Sequence, residues 1–214
     1  MRRRISLLSL VAVLALLLVT PTWAATLYDN GPINGTIDAW TINFGFQVSD
    51  SFNLGSASNL TGAQIGLWAV PGDRPTSVDW SIGTAPFGSN IGSGTGSLTN
   101  TFQFTNSFSG SSYDILESTF PLSGVLGAGT YWLTLQNAVV PNNGIFWDQN
   151  NGPSQAWENV YGDLSLYVGP PPGGSESFQI FGSSTAVPEP ATMLLLGGGL
   201  LGLAGYGRRR FLKR

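Results

Sequence analysis

Apolar and polar residues alternate along much of the chain with a period of two. In "SVDWSIG", Val78, Trp80 and Ile82 point one way while Ser77, Asp79 and Ser81 point the other. "GTYWLTLQN" places Tyr131, Leu133 and Leu135 on one face and Trp132, Thr134 and Gln136 on the opposite one. "NTFQFTN" alternates through Phe102 and Phe104, and "ESFQIFG" through Phe178 and Ile180. A two-residue period is the signature of a half-buried strand, because successive side chains leave the pleat on opposite sides. Further strands are expected at 41–48, 61–70, 115–120, 144–147 and 164–168. Breakers separate them, among them Pro71-Gly72-Asp73, Pro141-Asn142-Asn143-Gly144 and Pro170-Pro171-Pro172-Gly173-Gly174. About nine short strands without a helical stretch predict an all-β antiparallel sandwich of jelly-roll type.

Both ends depart from this pattern. Arg2, Arg3 and Arg4 precede a long apolar run, then Pro21 and the small residues Thr22 and Ala24 around Trp23. That order is a secretory signal peptide, with cleavage expected after Ala24; an uncleaved anchor is the competing reading. At the other end, residues 191–207 carry no charge and are followed by Arg208, Arg209, Arg210, Lys213 and Arg214. As a helix this span would cover about 25 Å, slightly short of the ~30 Å hydrocarbon core. Basic residues are retained on the cytoplasmic side, so the cluster should stop transfer there. Five parts result: a signal peptide at 1–24, a body at 25–183, a linker at 184–190, a transmembrane helix at 191–207 and a basic tail at 208–214.

Pro188-Glu189-Pro190, the glycine-interrupted apolar span and the terminal arginine cluster together resemble the PEP-CTERM sorting signal. The resemblance implies an exported protein of a Gram-negative cell. Its tail would be recognised at Pro188, Glu189 and Pro190 and removed by an exosortase, a membrane-embedded transpeptidase-like enzyme. It further implies transient membrane anchoring, then residence at the cell surface or outside it, in association with exopolysaccharide or biofilm. The body is similar to those of other PEP-CTERM proteins in "TLYDNG", "VSDSFNLGSASNLTGAQIGLW", "LGAGTYWLTLQN" and "ESFQIFG". That likeness implies a shared β-sandwich and no established activity.

Charge separates the body from its addresses. Of nine Lys and Arg residues, three lie in the signal peptide and five in the terminal cluster, leaving Arg74. All twelve acidic residues lie between Asp29 and Glu189, so the exported part carries 1 − 12 = −11. Such a body repels phosphate backbones, and no nucleic-acid partner is expected. Six of the seven tryptophans belong to this part, which argues for a buried core rather than disorder.

The absence of His and Cys removes a Ser-His-Asp triad, a Cys-His dyad and ordinary zinc sites. Paired carboxylates remain, as used in glycoside hydrolysis. Asp114 and Glu117 are close in sequence, but their odd spacing puts them on opposite faces of a strand, and solvated surface carboxylates are the better account. No enzyme is expected.

A binding reading attaches to "FWDQNNGPSQAWENVYGD", where Trp147, Trp157 and Tyr161 stand among Asp148 and several amides. Aromatic faces beside amides and carboxylates suit a sugar cleft on a carbohydrate-binding module. The plainer reading has the tryptophans fill the core and the amides shape turns. Asp148, Asn150 and Gly152 partly mimic a calcium loop but lack its order; no cofactor is expected, beyond a structural calcium that clustered oxygens elsewhere on the sandwich would allow. Asn34-Gly35-Thr36 and Asn59-Leu60-Thr61 have the form of glycosylation sequons and are read as turn chemistry. These observations converge on a non-enzymatic exported surface or matrix protein, with a carbohydrate-binding module as the alternative and a glycan-active enzyme behind it.

Overall fold

The structure is a computed structural model that describes residues 24–160, 163–168, 174–185 and 196–200. The signal segment 1–23, Tyr161, the Pro188-Glu189-Pro190 motif and the basic cluster from Arg208 to Arg214 lie outside the described residues. Of the span at 191–207, residues 196–200 are helical. Among the described residues no helix is long and apolar enough to cross a membrane.

The described residues form fifteen strands. The first five are β1 (Ala25–Asp29), β2 (Ala39–Thr41), β3 (Phe46–Leu54), β4 (Ser58–Ala69) and β5 (Ser77–Gly83). The next five are β6 (Gly92–Ser97), β7 (Thr99–Phe108), β8 (Ser111–Phe120), β9 (Gly124–Leu126) and β10 (Gly129–Val139). The last are β11 (Ile145–Asn150), β12 (Ala156–Val160), β13 (Asp163–Val168), β14 (Ser175–Glu176) and β15 (Phe178–Ser184). A six-stranded sheet runs β13-β12-β3-β10-β5-β6. A nine-stranded sheet follows β1-β15-β4-β11-β14, with β8 and β9 also on β4, β7 on β8 and β2 on β11. The pairings are antiparallel, and the two sheets face each other as a sandwich.

The alternating runs behave as their period requires. Val78, Ile82, Leu133 and Leu135 turn inward from the six-stranded sheet and meet Ile65, Leu67, Leu116, Phe178 and Ile180 of the other. Trp80 joins them beneath β6, where three of the six residues are glycine. Those glycines let the strand lie close over large rings: a Cβ on Gly96 would come within 2.7 Å of Phe120. Here backbone replaces side chain as the packing surface.

Two strand expectations need correction. The run at 41–48 is not one strand: β2 belongs to the nine-stranded sheet and β3 to the six-stranded one. Phe44 and Gly45, both at positive φ (54° and 87°), turn the chain from one layer to the other. Phe102 and Phe104 are strand residues but do not seal a core, being 49% and 39% exposed. Strand β7 is an edge strand paired with β8, and its register shifts between these two residues, so their common face does not stay over the interior.

Candidate functional site

Among the described residues of the aromatic stretch at 147–163, Trp147 and Trp157 are divided between layers and form no common cleft. Trp147 on β11 is fully buried, its indole Nε1 donates to the Ser177 carbonyl at 3.0 Å, and its ring meets Phe178 edge-on at 5.6 Å. It offers no open face to a sugar. Asp148 follows it on the opposite side of the strand and is buried too. Its carboxylate accepts from the amides of Asn34 (3.0 Å) and Gly35 (2.9 Å) and from Trp68 Nε1 (2.6 Å). Burial raises the Asp148 pKa, and these donors oppose the rise. Its calcium-like neighbour Asn150 uses its Oδ1 to accept from Gly152 N and Ser175 Oγ. Trp157 lies on β12, in the other sheet, half-buried on its outer face. The Asn34 sequon is turn chemistry as expected, its Oδ1 accepting from Thr36 N at 2.8 Å, whereas Asn59 lies within β4.

Of the two acids expected from sequence to be solvated surface groups, Glu117 is partly exposed and Asp114 is not solvated. Asp114 is buried and paired with Arg74 at 3.0 Å. Burial alone would raise its pKa, but the Gly72 amide and the Arg74 guanidinium outweigh burial and hold it low. Glu117 lines a cavity of about 260 Å³ on the nine-stranded sheet with Gln64, Gln103 and Gln179, and it is the sole carboxylate there.

Asp50 and Glu176, neither singled out by sequence, are also fully buried. Asp50 Oδ2 accepts from Glu176 N (2.7 Å), Ser154 Oγ (2.8 Å) and Asn30 Nδ2 (3.2 Å), and its Oδ1 from Ser51 N (2.6 Å). Burial nevertheless pushes its pKa up to about 7. Glu176 is raised well above the ordinary glutamate value by burial and then by the nearby Asp50 charge. Asn30 stands at the hub, within 2.6 Å of the Glu176 carbonyl and 2.9 Å of Ser175 Oγ. This knot ties the end of β1 to β3 of one sheet and β14 of the other, so its chemistry is spent on joining layers.

The outer face of the six-stranded sheet is different in kind. Register places Ser49, Thr134, Ser81 and Ser93 side by side across β3, β10, β5 and β6. The Thr134 hydroxyl donates to Ser49 Oγ at 3.0 Å. One step along, Asn159, Gln47, Gln136 and Asp79 form a parallel row across β12, β3, β10 and β5. Asn159 Nδ2 donates to Gln47 Oε1 (3.3 Å), and Gln47 Nε2 donates in turn to Gln136 Oε1. Short hydroxyl side chains beside longer amides leave a trough of about 400 Å³, bounded by Phe87 and Ser89. The signal for this face was present in "TYWLTLQN", whose polar positions Thr134 and Gln136 lie on the floor, with Trp132 on the same face of the strand.

The molecule is therefore an all-β, sandwich-like protein with a buried acid–amide knot and one polar, concave sheet face. Residues 186–210 match the family described as the PEP-CTERM protein-sorting motif. The motif implies an exported protein, processed by an exosortase and targeted to the cell surface. No curated protein matches the chain.

Proposed function

We propose that the chain is a non-enzymatic surface or extracellular-matrix protein, held briefly in the membrane by its tail and then released by exosortase cleavage to serve a structural or adhesive role among exopolysaccharide or biofilm polymers. The sorting motif at the C-terminal end of an all-β body carries this reading. Its support from the body is chemical. The two cavities described above each hold a single carboxylate, Glu117 in one and Asp79 in the other. Glycoside hydrolysis needs two across one bond. The buried acids Asp50, Asp114 and Asp148 are engaged by donors that hold strands and loops together. No cofactor enters the reading, because the oxygens of Asp148 and Asn150 are taken up by N–H and O–H donors.

Intact-mass measurement of the protein released from an exosortase-containing host tests the sorting step. The released form should begin at Ala25 and lack the segment after about Pro190. Replacing Pro188, Glu189 and Pro190 by alanine should leave an uncut, membrane-bound form. A released protein that keeps its full tail in that host would overturn the reading.

A further inference from the structure

We propose that the outer face of the six-stranded sheet binds a neutral polysaccharide chain, lying along the trough between Phe87 and β12. The inference concerns the body alone and goes beyond the sorting reading. Exposed faces of antiparallel sheets are ordinarily covered by long charged side chains. Here the central row is Thr134, Ser81 and Ser93, too short to fill the space above it, while Ser49 at the end of the row is enclosed beneath the Phe87 amide. What remains is a concavity of about 400 Å³ with hydroxyl and amide walls.

Phe87 borders it, and two tryptophans stand further along the same sheet face, beyond the residues that line the concavity. Trp157 is paired with Ser49 on one side of β3, and Trp132 is paired with Ser51 on the other side. Both therefore share the outer face, on strands two spacings apart, roughly 10 Å, which spans about two sugar rings. The third ring, Phe87, is brought over the sheet by its loop. Gly88 packs so closely on Gly83 that a Cβ there would meet it at 2.5 Å. Phe87 itself sits at φ 59°, with its amide donating to Ser49 Oγ at 3.2 Å. A non-glycine residue in the left-handed region carries backbone strain, and Phe87 is one of four such residues among those described.

The polar inventory points to a hydroxyl-rich ligand. The amide row ends in Gln136, whose Oε1 is occupied by Gln47 and whose Nε2 has no acceptor among the described residues. Two further atoms on this face are buried without partners: Trp132 Nε1, a donor, and Asn159 Oδ1, an acceptor. Asn159 is itself only 6% exposed. Unpaired buried polar atoms are costly, and sugar hydroxyls supply both missing functions through small side-chain shifts. Charge sets the class. Asp79 is the sole ionisable residue lining the trough. An anionic polymer would meet one carboxylate and no cation, and is disfavoured. A hydrophobic peptide or lipid would leave the amides unpaired.

Affinity electrophoresis of the secreted protein through gels containing dextran, a soluble β-1,3-glucan, galactomannan or alginate tests the proposal. At least one neutral polymer should retard it, and alginate should not. Trp157→Ala and Gln136→Ala should each weaken that retardation about tenfold while the melting temperature stays within about 3 °C of the parent. Because Gln136 is a partly exposed side chain, its variant keeps the test sound if Trp157→Ala folds poorly. Failure of all three neutral polymers, retardation unchanged in Gln136→Ala, or equal retardation by alginate would overturn the proposal. None of these results depends on whether the tail is cut.

Discussion

The backbone amide of Glu176 donates to the buried carboxylate of Asp50 across 2.7 Å, and that bond joins the two sheets at one end of the sandwich. Two carboxyls are thus enclosed within one knot, where burial and then the Asp50 charge disfavour ionisation of Glu176. Four donors hold Asp50, yet removal from water outweighs them.

This arrangement inverts the usual acid lability. The Asp50 pKa rises from 3.8 in the unfolded chain to about 7 in the fold, and that of Glu176 moves the same way. Between those values the native state binds more protons than the unfolded chain, so stability falls as pH rises through the window. The lowered Asp114 acts only below its unfolded value, outside that window. Thermal melts should therefore give a higher Tm near pH 5 than near pH 8, and Asp50→Asn should flatten the slope. A Tm that rises steadily from pH 5 to pH 8 would contradict this.

Asp148 pins the loop carrying Asn34 and Gly35 to Trp68 through three charge-assisted bonds. Replacing it by alanine leaves two amides and an indole N–H without their acceptor. Each orphaned buried donor costs about 1–3 kcal/mol, so a total loss of at least about 3 kcal/mol is expected. Urea unfolding measures it, and a loss below about 1 kcal/mol would show that water replaces the carboxylate.

Gly96→Val should force β6 away from Phe120, since even a Cβ would approach that ring to 2.7 Å. Overpacking of this kind costs about 1–3 kcal/mol. The same change at Gly124 in β9, whose added Cβ meets nothing within 4 Å, controls for β-branching. Gly96→Val with an unchanged denaturation midpoint would show that the sheet edge yields freely.

The period-two runs made the inner faces of β5, β10 and β15 legible, because burying Val78, Leu133 or Ile180 requires only that one side of a strand meet another layer. The pattern was silent on which layer. Trp147 and Trp157 are ten residues apart in sequence, but the loop between β11 and β12 carries the chain from one sheet to the other. The apparent cluster was a property of the line and not of the solid. Strand β6 was equally hidden, since its glycines carry no alternation and owe their place to Trp80 and Phe120 from elsewhere. Asp50 and Glu176 were illegible for a related reason. An acid reads as exposed unless its donors are known, and Asn30, Ser154 and Ser175 come from distant segments. The polar face was half visible: alternation marked Trp132, Thr134 and Gln136 as outward, but only register placed Ser49, Ser81 and Asn159 beside them.

Trp147 and Trp157 therefore separate two roles that sequence had joined. Trp147 is enclosed between the sheets, with its ring on Phe178 and its nitrogen bonded to Ser177. Truncating it to alanine removes an indole from the core and leaves a cavity that the rigid strands around it cannot close. The expected loss is about 3–5 kcal/mol, seen as a shifted urea midpoint with little change in slope. Trp157 stands on the outer face beside Ser49, where alanine opens no internal void. Its truncation should cost less than about 1.5 kcal/mol, in the range of partly exposed sites. Measured side by side, a large loss at 147 with a small one at 157 confirms the division between core and face. Comparable losses at both positions would place Trp157 in a second core, and a small loss at Trp147 would mean that the inner layer repacks around its absence.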